Sequence, residues 1–271
     1  IMMFLCVTVL CLVMGSVIMA MTGVSTTPRM RISTIVQDIV IFILPAIATA
    51  VVITRRPADL LLLTRRPGAV ITAAALIGTL VSIPAMNHII DWNASLPLPE
   101  SLRMAEDQAQ ESINLLVGNG SWGSLIITLL IVGVLAGLSE ELFFRGCMQR
   151  ILSKSGFGTH GSIWVTAILF SAVHMQFEGF VPRMLLGVWF GYLLVWSGSV
   201  WLPIMAHILN NLLAATALWL GMRDPAAGEA LSNFGSDSTV LAILSLLLTI
   251  IAVITARRNA ARCDSNQAAI N

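Results

Sequence analysis

The sequence predicts an all-α fold, a polytopic membrane helix bundle with about eight transmembrane helices. Of its 271 residues, 57% are hydrophobic and only 11% are charged, and the mean hydropathy is +0.88. Soluble domains carry roughly 25% charged residues, so this composition indicates an integral membrane protein in contact with lipid. The net charge of +1, without a basic stripe, argues against a nucleic-acid partner because nothing would neutralise the phosphates.

The predicted spans follow from the thickness of the bilayer. A hydrocarbon core of about 30 Å needs roughly 20 apolar residues per helix. The first apolar stretch has no basic region before it and is longer than that of a signal peptide, so we expect a spanning helix there. Pro45 and Pro84 lie inside the second and third spans, and each predicts a kink. The eight spans cover residues 2–23, 35–54, 68–90, 124–144, 161–177, 181–197, 200–220 and 239–256.

The segment 91–121 between the third and fourth spans is acidic and has a helical periodicity. Apolar residues recur in it at Leu102, Ala105, Ala109, Ile113 and Leu116. This spacing predicts an amphipathic helix, which lies on the membrane surface or forms a solvated loop helix.

The distribution of Lys and Arg favours cytoplasmic locations for both termini. In that orientation ten basic residues lie in cytoplasmic loops and five in external loops. The ten are Arg55, Arg56, Arg65, Arg66, Arg145, Arg150, Lys154, Arg257, Arg258 and Arg262, and the five are Arg29, Arg31, Arg103, Arg183 and Arg223.

The first polar group lies in residues 139–145, which read Ser-Glu-Glu-Leu-Phe-Phe-Arg within an apolar run. Ionisable side chains at membrane depth are costly, so they need partners and point to a functional site. Residues four apart share a helix face, whereas adjacent residues point about 100° apart. Glu141 and Arg145 are therefore predicted to form an ion pair with a structural role. Glu140 has no such local partner and is the candidate for chemistry.

Two further polar groups follow on later apolar segments. Phe170 and His174 are four residues apart, and the His174 ring suits a general base or a metal ligand, or else a hydrogen-bonded packing residue. His207 and Asn211 also share a helix face, with Asn210 beside them. Two donors converging in this way suit the oxyanion of an acyl transfer, and the alternative is a polar cluster that joins helices.

In this order, the patterns E-E-x-x-x-R, F-x-x-x-H and H-x-x-x-N resemble the CPBP family. That family includes the type II CAAX prenyl endopeptidases and the bacteriocin-processing "Abi" proteins. The resemblance covers about residues 122–215. It implies an intramembrane endopeptidase that acts on a membrane-associated protein or peptide, which would be CAAX-like, a leader or lipidated.

The resemblance also implies roles for the polar residues. Glu140 with His174 would activate a water that attacks the scissile carbonyl, and His207 with Asn211 would stabilise the resulting oxyanion. Glu141 and Arg145 match supporting positions, with Phe170 and Asn210 beside the motifs.

The family is also described as metalloproteases, and in that version Glu140, His174 and His207 would bind Zn²⁺. The chain has no H-E-x-x-H pattern, although one glutamate, two histidines and a water would make an acceptable zinc site. No cofactor is therefore certain, and we slightly favour the metal-independent version.

We expect three regions: N-terminal transmembrane helices with the amphipathic outer loop (1–121), a catalytic helical core (122–220), and a loop, last transmembrane helix and basic cytoplasmic tail (221–271). The expected location is the plasma (inner) membrane of a prokaryote. Two other functional classes stay open. One is a non-catalytic bacteriocin-immunity or scaffold protein of the same fold, which the filled catalytic positions argue against. The other is an ion-coupled transporter with a Glu/His relay, which the lack of internal repeats argues against.

Overall fold

The computed structural model of the protein describes residues 2–22 and 26–270, with side chains described for 4–14 and 26–260. All regular secondary structure in these ranges is helical, with no strand. The helices are α1 (Met2–Thr22), α2 (Thr27–Ile53), α3 (Pro57–Leu60), α4 (Ala69–Val81), α5 (Ile83–Ala94), α6 (Glu100–Val117), α7 (122–157), α8 (Gly158–Ala172), α9 (Phe180–Ser197), α10 (Trp201–Arg223), α11 (Pro225–Ser232) and α12 (Thr239–Ile270).

The predicted all-α polytopic membrane bundle is confirmed, whereas the count of eight spans is not. In the described part of the chain, five helical stretches are long and apolar enough to cross a membrane, or six if α4 and α5 form one bent span. One of the five, Trp122–Ala172, is 51 residues long and covers the predicted span 124–144 and most of the predicted span 161–177. The first predicted span is helical over Met2–Thr22, but its side chains beyond residue 14 lie outside the described residues.

Large apolar side chains cover the outer faces of the spanning helices. Val9, Val52, Ile77, Ile126 and Val240 are each more than half exposed. An exposed apolar surface of this extent would be unfavourable in water and is the expected surface of a protein in lipid. This protein is therefore an integral membrane protein.

Both predicted proline kinks correspond to irregular turns. The chain bends by 45° between helices α4 and α5 at Ser82, just before Pro84. In α2 a π-helical turn, Asp38–Ile43, comes immediately before the turn that contains Pro45. Proline lacks the N–H of the regular α-helical ladder, and a wider turn accommodates that loss.

Two predicted spans have different ends in the structure. Helix α7 is far longer than 124–144, and it ends where Ser155 and Gly156 leave the helical conformation. The next span ends at Ala172 rather than near residue 177, because Met175 adopts a left-handed φ of 54°. His174 consequently lies in the turn after α8 and not inside a membrane helix.

The predicted amphipathic helix is confirmed as α6. Its C-terminal turn is held against the bundle because Arg31 donates to the carbonyl oxygens of Leu116 and Val117, at 3.0 and 3.1 Å. Met104 on the same helix is 58% exposed. Whether this exposed face meets lipid or water stays a prediction.

Glycines allow the helices that carry the polar groups to pack closely. A Cβ at Gly137 in α7 would lie 2.9 Å from Ile208 Cγ1 in α10, and one at Gly187 in α9 would lie 3.1 Å from Ala167 Cβ in α8. Small residues at such contacts permit helix association in membranes, where the hydrophobic effect does not drive it. These contacts draw α7, α8, α9 and α10 together around one polar centre.

Candidate active site

A fully buried ion pair is the structural base of the site. Arg145 Nη1 donates to Glu141 Oε1 at 2.6 Å, and neither side chain is exposed. Arg145 Nη2 also donates to the carbonyl oxygen of Gly187 at 3.0 Å, and its guanidinium lies 4.5 Å from the ring centre of Phe170. The predicted intrahelical pair is confirmed, and it also connects α7 with α8 and α9.

His207 completes this ion pair from α10. Its Nδ1 lies 2.8 Å from Glu141 Oε1, and its ring stacks on Phe190 with ring centres 5.0 Å apart. A carboxylate only accepts hydrogen bonds, so His207 is protonated at Nδ1 and donates a hydrogen bond from Nδ1–H to Glu141. The Nε2 atom of His207 is thereby turned away from Glu141.

His174 is oriented by the backbone of its own helix end. Its Nδ1 lies 2.8 Å from the carbonyl oxygen of Phe170, which can only accept, so Nδ1–H donates and Nε2 is free. Burial lowers the pKa of His174 below its ordinary value, while the nearby Glu140 carboxylate acts in the opposite direction. The net lowering favours a neutral imidazole that can accept a proton at Nε2.

Glu140 faces both histidines. Its Oε2 lies 3.9 Å from His174 Nε2 and 3.9 Å from His207 Nε2. This oxygen is buried and, within the described residues, has no hydrogen-bond partner. Of the three side chains His174 is the most exposed, at 28%, so the site is most accessible from the α8–α9 turn. The structure therefore brings together Glu140, Glu141, His174 and His207 from three separate segments.

The ligand geometry expected for zinc is not met by these residues. Two ligands of one tetrahedral zinc ion lie about 3.4 Å apart, given bonds of about 2.1 Å. Glu140 Oε2 is 3.9 Å from each histidine, and across residues 4–14 and 26–260 no three His, Cys, Asp or Glu side chains are arranged to hold a metal ion. The metalloprotease alternative therefore gains no support.

The two asparagines follow His207 on α10, and each donates one Nδ2 hydrogen to a group other than Glu140 and the histidines. Asn211 Nδ2 donates to the carbonyl oxygen of Val132 in α7 at 3.0 Å, and Asn210 Nδ2 lies 3.4 Å from Asn211 Oδ1. One Nδ2 hydrogen of Asn211 is left for another acceptor. With the Nδ1 donor of His207 directed to Glu141, the predicted oxyanion role of this pair stays a prediction.

Phe170 separates the polar groups from the apolar core. It is 2% exposed, and its ring meets the rings of His174 and His207 edge to face, with centres 5.2 and 5.6 Å apart. Its opposite contacts are with Phe144 and Arg145. Phe170 thus fixes the positions of both histidines.

Two charged residues near the site were missed by the sequence reasoning. Asp38 in α2 is 4% exposed, and its turn packs against the helical turn that carries Ser139 and Glu140. Arg183 in α9 donates to Gln176 in the turn that carries His174, at 2.8 and 3.1 Å, and also interacts with Glu140. The sequence did contain a signal for both residues: Asp38 is a charge inside an apolar run, and Arg183 is a charge at the start of one.

Comparison with known proteins agrees with the three motifs. Residues 122–213 match the family described as "Type II CAAX prenyl endopeptidase Rce1-like". This stretch contains Glu140, His174, His207 and Asn211, and the match confirms the predicted resemblance to the CPBP family.

A curated relative is also similar over part of its length. Over 107 residues the chain is 29% identical to an "Uncharacterized 24.3 kDa protein" of Escherichia coli, which corresponds to 37% of this chain and 48% of the relative. The chain thus spans about half the length of the curated relative it matches. No solved structure matches the chain.

Proposed function

We propose that this chain, whose residues 122–213 resemble the Rce1-like CAAX prenyl endopeptidases, is an intramembrane endopeptidase. It would hydrolyse a peptide bond in a membrane-associated protein or peptide that is CAAX-like, a leader or lipidated. The observation that carries the proposal is the position of Glu140, a buried carboxylate that faces two imidazole Nε2 atoms at 3.9 Å. A charged group kept in this setting favours a chemical role over a structural one.

The 3.9 Å separations suit a bridging water. They are too long for direct hydrogen bonds, and contacts of this length are commonly bridged by a water molecule. A water between Glu140 and His174 would have two acceptors for its protons. Glu140 is buried, which strengthens its interaction with the water.

The proposed reaction begins when the water oxygen attacks the scissile carbonyl carbon and Glu140, assisted by His174, takes the proton. The carbonyl oxygen becomes an oxyanion. The second Nδ2 hydrogen of Asn211 would stabilise it, together with His207 Nε2–H when His207 is protonated at both ring nitrogens. The C–N bond then breaks, and the proton held by Glu140 passes to the departing amine. The immediate products are a carboxylic acid and an amine, and Glu140 is regenerated. The acid then passes its remaining proton to the amine, which gives a carboxylate and an ammonium group.

The supporting residues act through these groups. Glu141, itself bound by Arg145, accepts a hydrogen bond from His207 Nδ1–H and so orients the ring with Nε2 towards Glu140. Phe170 packs against both histidines. The proposed mechanism does not use zinc. We also propose that the protein lies in the plasma membrane of a prokaryote with both termini in the cytoplasm.

Peptide cleavage by the purified protein tests the proposal. Prenylated CAAX-type peptides and unprenylated hydrophobic peptides are incubated with the wild type, Glu140→Ala and His174→Ala. Loss of a general base typically lowers the rate about 10²–10⁴-fold, so we expect both variants to be inactive while folded. Glu111→Ala and His160→Ala are matched controls at exposed positions. If neither peptide class is cleaved by the wild type, or if both site variants cleave normally, the proposal is wrong.

A further inference from the structure

A cavity with basic side chains in its lining lies at the ends of three helices. It has a volume of about 210 Å³ and opens where the end of α7, the start of α8 and the end of α9 meet. Its polar lining includes Arg150, Lys154, Ser153 and Thr159, and none of Glu140, His174 and His207 lines it. It is therefore separate from the candidate active site.

The cavity carries uncompensated positive charge. No acidic side chain lines it, and among the described residues neither Arg150 nor Lys154 forms an ion pair. The guanidinium of Arg65 packs over Gly198 at the rim and adds a third charge. The neighbouring Asp59 accepts a hydrogen bond from the Thr64 hydroxyl, and only its backbone oxygen is close to Arg150 Nη1, at 3.4 Å.

The remaining wall of the cavity is apolar. Leu194 and Val195 of α9 line it, and Val195 is 44% exposed on the outer face of the bundle. The ends of spanning helices mark the boundary of the membrane, where lipid phosphates lie. Cations and hydroxyls beside an apolar wall at this level match a headgroup phosphate with its attached acyl chains.

We propose that this cavity binds the phosphate group of an anionic phospholipid. The hydroxyls of Ser153 and Thr159 would donate to the phosphate oxygens, Arg150 and Lys154 would balance its charge, and the acyl chains would follow the exposed face of α9. The proposal is independent of the proposed protease activity.

Lipid binding to the purified protein in detergent tests it, with phosphatidylglycerol and phosphatidylcholine as probes and native mass spectrometry as the readout. We expect retention of phosphatidylglycerol in preference to phosphatidylcholine, and a loss of about tenfold or more in Arg150→Gln/Lys154→Gln because two charges near the phosphate are removed. Lys154→Gln alone, at an exposed position, should give a partial loss. The matched control is Arg257→Gln/Arg258→Gln, which removes the same charge from an exposed part of α12.

Equal loss in the cavity and control variants would mean that binding follows overall charge, and the proposal would be overturned. No loss in either would overturn it as well. Inorganic phosphate is the second probe. If phosphate binds with the same dependence on Arg150 and Lys154 while phosphatidylglycerol does not, the site recognises a free anion and the lipid proposal is wrong.

A second inference concerns Asp38, and it rests on the proposed function. The turn Asp38–Ile43 packs against the helical turn Ala136–Glu141. Asp38 is buried beside this turn, where the Ser139 hydroxyl donates to the carbonyl oxygen of Ala136 at 3.1 Å. The Oδ2 atom of Asp38 has no hydrogen-bond partner among the described residues. We infer that Asp38 is a positioning residue, which fixes the backbone turn from which Glu140 projects.

Two variants of similar size separate this role from packing. Asp38→Asn keeps a polar group of the same shape against the Ala136–Glu141 turn, whereas Asp38→Leu does not. We expect Asp38→Asn to keep most of the wild-type kcat and Asp38→Leu to lower kcat about tenfold with little change in KM, because only leucine removes the polar group that faces the turn of Glu140. If the wild type is active, Glu140→Ala is inactive and Asp38→Leu is fully active, this inference alone fails. An inactive wild type contradicts the proposed function instead.

Discussion

Glu141 Oε1 and His207 Nδ1 are joined by a 2.8 Å hydrogen bond between helices α7 and α10. The same oxygen accepts from Arg145 at 2.6 Å, so one carboxylate connects the first and third sequence motifs. The two adjacent glutamates consequently differ in kind. Glu141 is a structural acceptor with two partners, and Glu140 is the group left facing Nε2 of both histidines.

This difference predicts opposite effects of two matched substitutions. Glu141→Gln removes the charge that balances buried Arg145, and breaking a buried pair costs about 3–5 kcal/mol. Glu140→Gln removes no hydrogen bond to Glu140 Oε2, so its effect on the free energy of unfolding should stay within about 1 kcal/mol while cleavage is lost. Titration with a denaturing detergent measures the free energy of unfolding of each variant, and the peptide assay measures its cleavage rate. Equal destabilisation by the two variants would contradict the division of roles.

Arg145 is predicted to resist replacement by lysine. Lysine cannot donate to Glu141 and Gly187 in the planar geometry of a guanidinium, and it cannot stack on Phe170 in the same way. We expect Arg145→Lys to lower the free energy of unfolding by about 2 kcal/mol or more. Arg103→Lys, at an exposed position, is the control and should be neutral. A neutral Arg145→Lys would show that charge alone is required.

The close approach of α7 and α10 predicts a strong response to one added methyl group. A Cβ at Gly137 would lie 2.9 Å from Ile208 Cγ1 and 3.2 Å from Ile208 N, so Gly137→Ala should destabilise the protein by about 1–3 kcal/mol. It should also lower cleavage, because Ile208 follows His207 directly. Gly123→Ala, on the same helix with open space around it, should leave both properties unchanged. If the two variants had the same stability and cleavage rate, the contact between Gly137 and Ile208 would not be what limits the approach of α7 and α10.

Glu106 is predicted to order the turn that carries His174. Its Oε2 accepts hydrogen bonds from the backbone N–H groups of Phe177 and Glu178. Hydrogen bonds to a charged group contribute about 1.5–3 kcal/mol, so Glu106→Ala should speed amide hydrogen exchange in residues 173–179 by about tenfold or more. Exchange measured by mass spectrometry tests this without any activity assay. Glu111→Ala, on the exposed side of α6, should leave the exchange rate of the turn as it is in the wild type.

Cleavage is expected to survive removal of divalent metal. The wide spacing of Glu140 from His174 and His207 favours a water held by protein groups over a zinc-bound water. Exhaustive chelation followed by the peptide assay, with metal content measured on the same sample, tests this expectation. Stoichiometric zinc whose removal abolishes cleavage and whose return restores it would contradict the metal-independent mechanism.

Local spacing in the sequence was enough to predict the Glu141–Arg145 pair and helix α6. Residues four apart meet on one helix face whatever the rest of the fold does, so the pair at 2.6 Å follows from the chain alone. The end of α8 was not predictable in this way. The left-handed backbone at Met175 is an uncommon conformation for methionine, and it places His174 outside the span that the apolar run suggested.

The interactions between segments distant in the chain could not be read from the sequence. Glu141 and His207 are 66 residues apart, and Asp38 approaches Ser139 across about a hundred. Such contacts depend on how closely helices approach, and the contacts of Gly137 and Gly187 set that approach by steric limits that periodicity does not show.

By itself, the sequence determined that this is a membrane helix bundle, because a low content of charge over long apolar runs is stable only in lipid. It also singled out Glu140, because a buried carboxylate without a partner on its own helix must find one elsewhere. The family resemblance named His174 and His207 as the residues that act with it. Only the tertiary structure decided which ring nitrogen each of them presents to Glu140, and in both it is Nε2. The physical reason is that each imidazole is oriented by a bond made at Nδ1, to Phe170 in one case and to Glu141 in the other.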